Sequence, residues 1–287
     1  MMCNNISKLL FIGSAVPLGR LDKLYSAHKE VINFLYKDLA ISLCAGSVCP
    51  GKYRIILDAD SVEGVHSMEL LPEMLILNGD NKLSVLAEML YTCAEFSYIS
   101  DSALLQQRLK SSYAEFRDKA IPESVLGLVL HNPMEDSRVN RLLASWYSRG
   151  IEHFKQGNYA DAVQCFRHRG LGLTPAGDDF LIGMLLGMAW LMRVQKKELS
   201  RIMDLILHES DVIDPLIRTF ILQAFRLELD ADWAGLLNSF CDHGSSYKPW
   251  LHKILSHGAS SGADQLSGFY LACDLFGTGM DLPIKSL

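Results

Sequence analysis

The sequence is short of positive charge: 27 lysines and arginines stand against 33 aspartates and glutamates, a formal net charge of −6. Nucleic-acid affinity rests on neutralising phosphates with a large basic surface, so no nucleic acid is expected as a partner. Long apolar runs are missing too. The longest nearly uncharged stretch, Phe180 to Met192, has 13 residues between Asp179 and Arg193, whereas a membrane-spanning helix needs about 20. It reads as a buried core helix, and no membrane is expected as a partner. The opening Met-Met-Cys-Asn-Asn-Ile-Ser-Lys has one positive charge, Lys8, and no apolar run leading to a small-residue cleavage site, so a cytoplasmic location is expected. The seven cysteines, an odd number, include no C-x-x-C pair. That argues against structural zinc and a disulfide framework, and fits reduced thiols. Also absent are a Walker sequence, a G-x-S-x-G elbow and a G-x-G-x-x-G run between strand and helix; Arg169-Gly170-Leu171-Gly172 is only a partial glycine run.

With 287 residues, 49% of them hydrophobic, the chain has enough for one large domain or two ordinary ones and for an enclosed site. Its halves read differently. Up to about residue 100 the apolar segments are short and end at turn residues: Leu9–Ile12, Ala40–Cys44, Tyr53–Leu57 and Met74–Leu77, the last running into Asn78-Gly79-Asp80. These read as strands. Tyr25 to Tyr36 has apolar residues at 31, 32, 35 and 36, a helical spacing that a surrounding sheet can bend into a strand. Residues 83–99 combine helix formers with a strand-like Phe96-Ser97-Tyr98-Ile99, and are equally ambiguous. From about 103 the spacing becomes helical, with candidates at Ala103–Lys119, Asp136–Lys155, Asp161–Phe166, Pro175–Arg193, Lys197–Leu207, Asp214–Glu228, Trp233–Phe240, Pro249–Leu255 and Gly262–Phe276. A switch from strands to helices, rather than regular alternation, predicts an α+β fold. The expected domains are a mostly-β part, 1–102, packed on a larger helical bundle, 103–287.

Two stretches repeat a pattern. Gly177-Asp178-Asp179-Phe180-Leu181-Ile182-Gly183 and Gly262-Ala263-Asp264-Gln265-Leu266-Ser267-Gly268 both read G-x-D-x-x-x-G, 85 residues apart, and Gly187 then matches Ala272. Residues four apart share one stripe of a helix, so each aspartate heads a row of small residues. The expectation is two helices crossing on their small faces, with Asp179 and Asp264 at the same end. Ahead of the first helix lies Arg167-His168-Arg169-Gly170-Leu171-Gly172-Leu173-Thr174-Pro175, with Thr174 as expected N-cap and Pro175 in the first turn. Ahead of the second lies His257-Gly258-Ala259-Ser260-Ser261, with Ser260 or Ser261 as cap. Free N–H groups at such ends favour anions, and two converging ends suit a ligand with two anionic groups.

The plainer reading is that first-turn aspartates answer the helix dipole and the glycines serve packing alone. Two matched copies weigh against it, because packing does not demand Asp at the same place in both. Two carboxylates meeting in a dry cleft need a cation, hydrogen-bond donors or a shared proton; Asp178, Asp179 and Asp264 are therefore candidate ligands for Mg²⁺. Cys241, His243, His252 and His257 match no zinc spacing, and capping or surface roles are expected for them. Gly46-Ser47-Val48-Cys49-Pro50-Gly51 reads as a turn, with a ligand-facing loop as the alternative.

The segment Gly172-Leu173-Thr174-Pro175-Ala176-Gly177-Asp178-Asp179-Phe180-Leu181-Ile182-Gly183, followed by His257-Gly258-Ala259-Ser260-Ser261-Gly262-Ala263-Asp264, resembles a bacterial family that includes the AllH-type subunit of oxamate carbamoyltransferase, from anaerobic allantoin breakdown. The resemblance covers about 40 residues; Ser26, Asn33 and the Gly46–Gly51 turn fit only loosely. The family pattern is G-x-G-P-G-L-T-P-S-G-D-D, and here His168 replaces the first Gly, Leu171 the Pro and Ala176 the Ser. The resemblance implies transfer of a carbamoyl group between oxalurate and phosphate, giving oxamate and carbamoyl phosphate, in an enzyme with other carbamoyltransferase subunits. The residues already singled out suit that chemistry: Asp179 and Asp264 as the catalytic pair, to orient a carbamoyl amide, act as base or hold a metal ion, and Arg169, Gly172, Thr174, Gly177, Asp178, His257, Ser260, Ser261 and Gly262 around a small anionic substrate. A non-catalytic binding or assembly subunit is the alternative, distinguished by whether changing the aspartates abolishes turnover or alters only binding.

Overall fold

The computed structural model describes residues 8–277 except 97, 100, 131–136, 171 and 243; Cys3, Asp136, Leu171 and His243 lie outside the described residues. The chain is α+β and divides into two compact units. One comprises residues up to Ala94 with Ile213–Thr219 and Glu228–Ala234. The other comprises Glu95–Val212, Phe220–Leu227 and residues from Gly235 on.

The first unit is built of strands. They are β1 (Leu9–Gly13), β2 (Gly19–Leu21), β3 (Leu24–Ala27), β4 (Val31–Tyr36), β5 (Leu39–Cys44), β6 (Arg54–Leu57), β7 (Met68–Leu71), β8 (Met74–Leu77), β9 (Asn81–Ser84) and β10 (Leu90–Tyr91). A mixed sheet has the order β10-β1-β6-β5-β4-β3, and an antiparallel one the order β2-β7-β8-β9. One hydrophobic cluster draws on both, with Ile12, Ile32, Phe34, Leu43 and Ile55 from the first and Leu21, Met68, Leu70, Leu75 and Leu77 from the second.

The ambiguous stretch Tyr25 to Tyr36 is a hairpin, β3 and β4. Its other neighbour, β5, imposes the two-residue period: Ile32 and Phe34 enter the core, and Asn33, between them, takes the opposite face. There Asn33 Nδ2 donates to Ser26 Oγ at 2.9 Å and its Oδ1 accepts from Ser42 Oγ at 2.7 Å, so this buried amide is satisfied. Asn78 and Gly79, both at positive φ, turn β8 into β9. Residues 83–99 end β9, make a short turn at Ala87–Met89 and add β10 parallel to β1. Among the described residues of Phe96 to Ile99 there is no strand; Ile99 N–H instead donates to Val194 O at 3.0 Å.

The returning segments are bonded to this unit by backbone and side chain. Ala40 N–H donates to Thr219 Oγ1 at 2.8 Å, Ala231 N–H to Pro50 O at 2.9 Å, and Tyr91 Oη to Leu229 O at 3.1 Å. Lys52 pairs with Glu228 at 2.6 Å and Arg54 with Asp230 at 3.3 Å.

The helices are α1 (Ser102–Asp118), α2 (Val125–Leu130), α3 (Arg138–Lys155), α4 (Tyr159–Phe166), α5 (Ala176–Gln195), α6 (Ser200–Ser210), α7 (Pro215–Arg226), α8 (Ala231–Cys241), α9 (Lys248–Leu255) and α10 (Ser261–Phe276). In the second unit α5 is the central helix, buried over nearly its whole length, as its long apolar run predicts. It lies beside α10 with both N-termini at one end, on the small faces that the repeated pattern predicts. A methyl group on Gly183 would overlap the Gln265 carbonyl oxygen, and one on Gly268 the Phe180 carbonyl oxygen. Each backbone therefore occupies the space that the other's missing side chain leaves. Farther along, Gly187 faces Ala272. Aromatic packing backs the crossing: Phe180 stacks on Phe166 at 4.0 Å, and Trp190 meets Phe269 at 5.7 Å.

Overpacking a tight interior typically costs 1–3 kcal/mol, occasionally more, and here the obstacle is backbone rather than a movable side chain. Gly183→Ala should therefore lose about 3 kcal/mol or more in urea unfolding. Gly187→Ala, whose methyl would meet the Ala272 methyl at 2.8 Å, should lose less.

Candidate functional site

The site lies at the N-terminal ends of α5 and α10. Between α4 and α5 the chain makes a tight loop. His168 sits in the left-handed region at φ 58, and Gly170 at φ 121 has no room for a side chain, since a methyl there would overlap Ala176. Asp178, fully buried, fastens this loop: its Oδ1 accepts His168 N–H at 2.9 Å, and its Oδ2 is 3.6 Å from His168 Nδ1, an ion pair when the ring is protonated. Left-handed backbone is costly for a residue with a Cβ, and the bonds to Asp178 offset that cost at His168.

Asp179 stands one residue further on, in the fourth position of α5, and is 1% exposed. Its Oδ2 accepts from Thr174 Oγ1 at 2.7 Å and its Oδ1 from Gln265 Nε2 at 2.9 Å. Thr174 Oγ1 is also 3.1 Å from Ser261 Oγ, which ties the two helix entries together. Burial pushes the Asp179 carboxyl up to about 6 against the pull of Gln265, Thr174 and Ser261, and the charge of Asp178 adds to the rise.

Asp264 occupies the equivalent fourth position of α10 and is 0% exposed. Its Oδ1 accepts the Val125 N–H, at the start of α2, at 2.6 Å. Its Oδ2 has no hydrogen-bond partner among the described residues. Burial holds Asp264 well above the usual carboxylate range; the Val125 N–H and the Ser260 hydroxyl oppose this, and the charge of Asp179 reinforces it. Tyr147 of α3, buried with its Oη donating to Arg169 O at 3.3 Å, is close enough for Asp264 to raise its phenol further.

Several expectations are revised. Thr174 is not the N-cap of α5: that position belongs to Pro175, with no side-chain cap, and the Thr174 hydroxyl is spent on Asp179. Ser260 is the N-cap of α10, also without a capping hydrogen bond. The helix ends offer fewer free donors than their sequences suggest. Gly177 N–H donates to Arg169 O at 2.8 Å, Asp178 and Asp179 N–H to Pro175 O, Gly262 N–H to His257 O at 3.1 Å, and Asp264 N–H to Ser260 O. Gly177 and Gly262 instead let α5 and α10 start against the Phe166 and Ile254 carbonyls. Arg169 is engaged too: its guanidinium donates to Gln164 O and Arg167 O and lies 4.1 Å from the Trp146 ring. Gly172 is exposed in the loop, and His257 is half-buried. Asp178, Asp179 and Asp264 do not bring three ligand oxygens within 4.8 Å of one another. As a three-carboxylate Mg²⁺ set they do not fit, and no chemistry is routed through such an ion. Of the expected metal set, the structure leaves the two helix-borne aspartates: Asp179, held by Gln265, Thr174 and Ser261, and Asp264, close enough for the charge of Asp179 to raise its carboxyl. Gln265, Val125 and Tyr147 were not foreseen as members.

Residues 168–273 match the family model of the oxamate carbamoyltransferase subunit AllH, so the AllH-type resemblance holds over the stretch that runs from the loop before α5 into α10. No curated protein and no solved structure gives a match. No helix among the described residues is long and apolar enough to cross a membrane.

Two outcomes follow. Gly170→Ala should be strongly destabilising, whereas His168→Gly should leave the thermal midpoint at or above that of the parent at pH 8, relief of left-handed strain being worth about 1 kcal/mol. The buried Asp179, raised to about 6, stabilises the fold fully only below its unfolded value near 4. That contribution is lost as pH rises through about 6. Asp179→Asn should therefore flatten the fall in unfolding free energy across this window, by up to about 3 kcal/mol in urea titrations at stepped pH.

Proposed function

We propose that the chain is a subunit of an enzyme acting on small carbamoyl and carboxylate compounds, and that the paired ends of α5 and α10 receive the carbamoyl group. The observation that carries this reading is Asp264 Oδ2, a fully buried oxygen with no protein partner among the described residues, beside an Asp179 whose oxygens are already oriented by Thr174 and Gln265. A buried polar atom without a partner costs about 1–3 kcal/mol, and a ligand that satisfies it recovers this. The AllH family match over residues 168–273 supports oxalurate and phosphate as reactants, with oxamate and carbamoyl phosphate as products. In that transfer a phosphate oxygen bonds to the carbamoyl carbon, the carbon–nitrogen bond breaks, and the departing nitrogen takes a proton.

The two aspartates suit such a group because an amide presents both donors and an acceptor. A carboxylate takes the N–H groups, and a protonated carboxyl donates to oxygen or to a departing nitrogen. The family description names a subunit, so turnover is expected in the cytoplasm with other carbamoyltransferase subunits present.

Thermal unfolding of the full chain with phosphate, carbamoyl phosphate, oxamate or oxalurate tests this. A ligand at 100 times its dissociation constant stabilises by about 2.7 kcal/mol. A shift with at least one carbamoyl compound, lost in Asp264→Asn, is expected. Equal shifts in parent and variant would place binding elsewhere, and full turnover by Asp179→Asn and Asp264→Asn in the assembled enzyme would remove the aspartates from the chemistry.

A further inference from the structure

Asp179 and Asp264 hold the same position in two copies of one frame, 85 residues apart, yet their surroundings are not copies. Each side chain that bonds or flanks Asp179 has an apolar residue at the corresponding place in the other frame. Gln265, which donates to Asp179 Oδ1, corresponds to Phe180; Thr174, which donates to Oδ2, corresponds to Ala259; Ser261 corresponds to Ala176. Asp264 has one backbone N–H on Oδ1 and the Ser260 hydroxyl close enough to oppose its rise, but no hydrogen-bond partner for Oδ2 among the described residues. Hydrogen bonds donated to both oxygens favour a charged carboxylate, whereas a dry oxygen without a donor favours the neutral acid.

We propose that the pair is asymmetric by construction: Asp264 carries a proton on Oδ2, Asp179 is the carboxylate, and Gln265 is the positioning residue that decides which is which. Burial raises both carboxyls, and holds Asp264 well above the usual carboxylate range. The other charged or titratable groups around the pair do not reverse the order. Asp178 on α5 opposes charge on Asp179, Tyr147 on α3 is held neutral by burial, the Arg169 guanidinium is spent on carbonyls and Trp146, and α2 has no titratable side chain. The Asp264 O–H is then a donor awaiting an acceptor. Its use as the proton source for the departing nitrogen rests on the carbamoyl reading above; where the proton resides does not.

The test is carbon NMR of the ligand-free full chain labelled at aspartate carboxyls, titrated from about pH 5 to about pH 8. One carboxyl should keep its acid-form shift at the upper end while another titrates near 6. Asp264→Asn should remove the first and leave the second; Gln265→Met should move the second upward by about one unit, a tenfold change in its acid-to-carboxylate ratio. The absence of any acid-form carboxyl above neutral pH in the parent protein, which needs no variant to fold, would overturn the proposal. So would an acid form that survives Asp264→Asn, or a Gln265→Met titration unchanged from the parent. Failure of the carbamoyl reading would show instead as no thermal shift with any of the four compounds while this titration stands.

Discussion

Backbone touches backbone where α5 crosses α10. Gly183 and Gly268 admit each other's helix so closely that no side chain, and no water, fits between the two at that level. The first turns of both helices are thereby held side by side, and two carboxylates four residues ahead of those glycines go into the interior together. An isolated buried charge is costly and two are worse. The donors at this point are side chains for Asp179 and the Val125 N–H for Asp264, because most of the N–H groups at the two helix ends already donate to their own entry loops.

The loop before α5 shows how much local structure this requires. Asp178 is turned away from its neighbour to fasten the left-handed turn at His168, while Asp179 points into the pair. Adjacent aspartates on one helix thus have separate tasks, one shaping the entry and one facing the site. The family match begins at this loop and ends within α10. It therefore brackets the two frames and leaves out the strands.

Much of this was legible in the residue order, for identifiable reasons. A 3.6-residue period over long segments marks helices, and α5, apolar on every side, had only one place to go. The repeated G-x-D-x-x-x-G frame announced both the crossing and the pairing, since four-residue spacing of glycines is a statement about how near another backbone comes. What the order of residues could not show was partnership across the crossing. Gln265 looks like any helical polar residue until α5 is laid beside it, and Thr174 looks like a cap until its hydroxyl is found on Asp179. The Tyr25–Tyr36 hairpin was undecidable for a similar reason. Its apolar spacing suits either period, and only β5 at its edge selects the strand. Val125 escaped because a six-residue helix carries too little periodicity to be noticed.

The strand-rich unit recruits Ile213–Thr219 and Glu228–Ala234 from far along the chain. The Ala40 amide waits for a threonine hydroxyl 179 residues later, and Lys52 for a glutamate 176 residues later. At about 5–20 residues per second on the ribosome, those partners emerge roughly 10 to 40 s after the strands they serve. During synthesis the mixed sheet must therefore pass through a stage in which the Ala40 amide and the Arg54 guanidinium lack their final partners. Completion of the unit that begins the chain is thus tied to translation of the helices that follow it, so the fold's earliest strands are among its last parts to be finished.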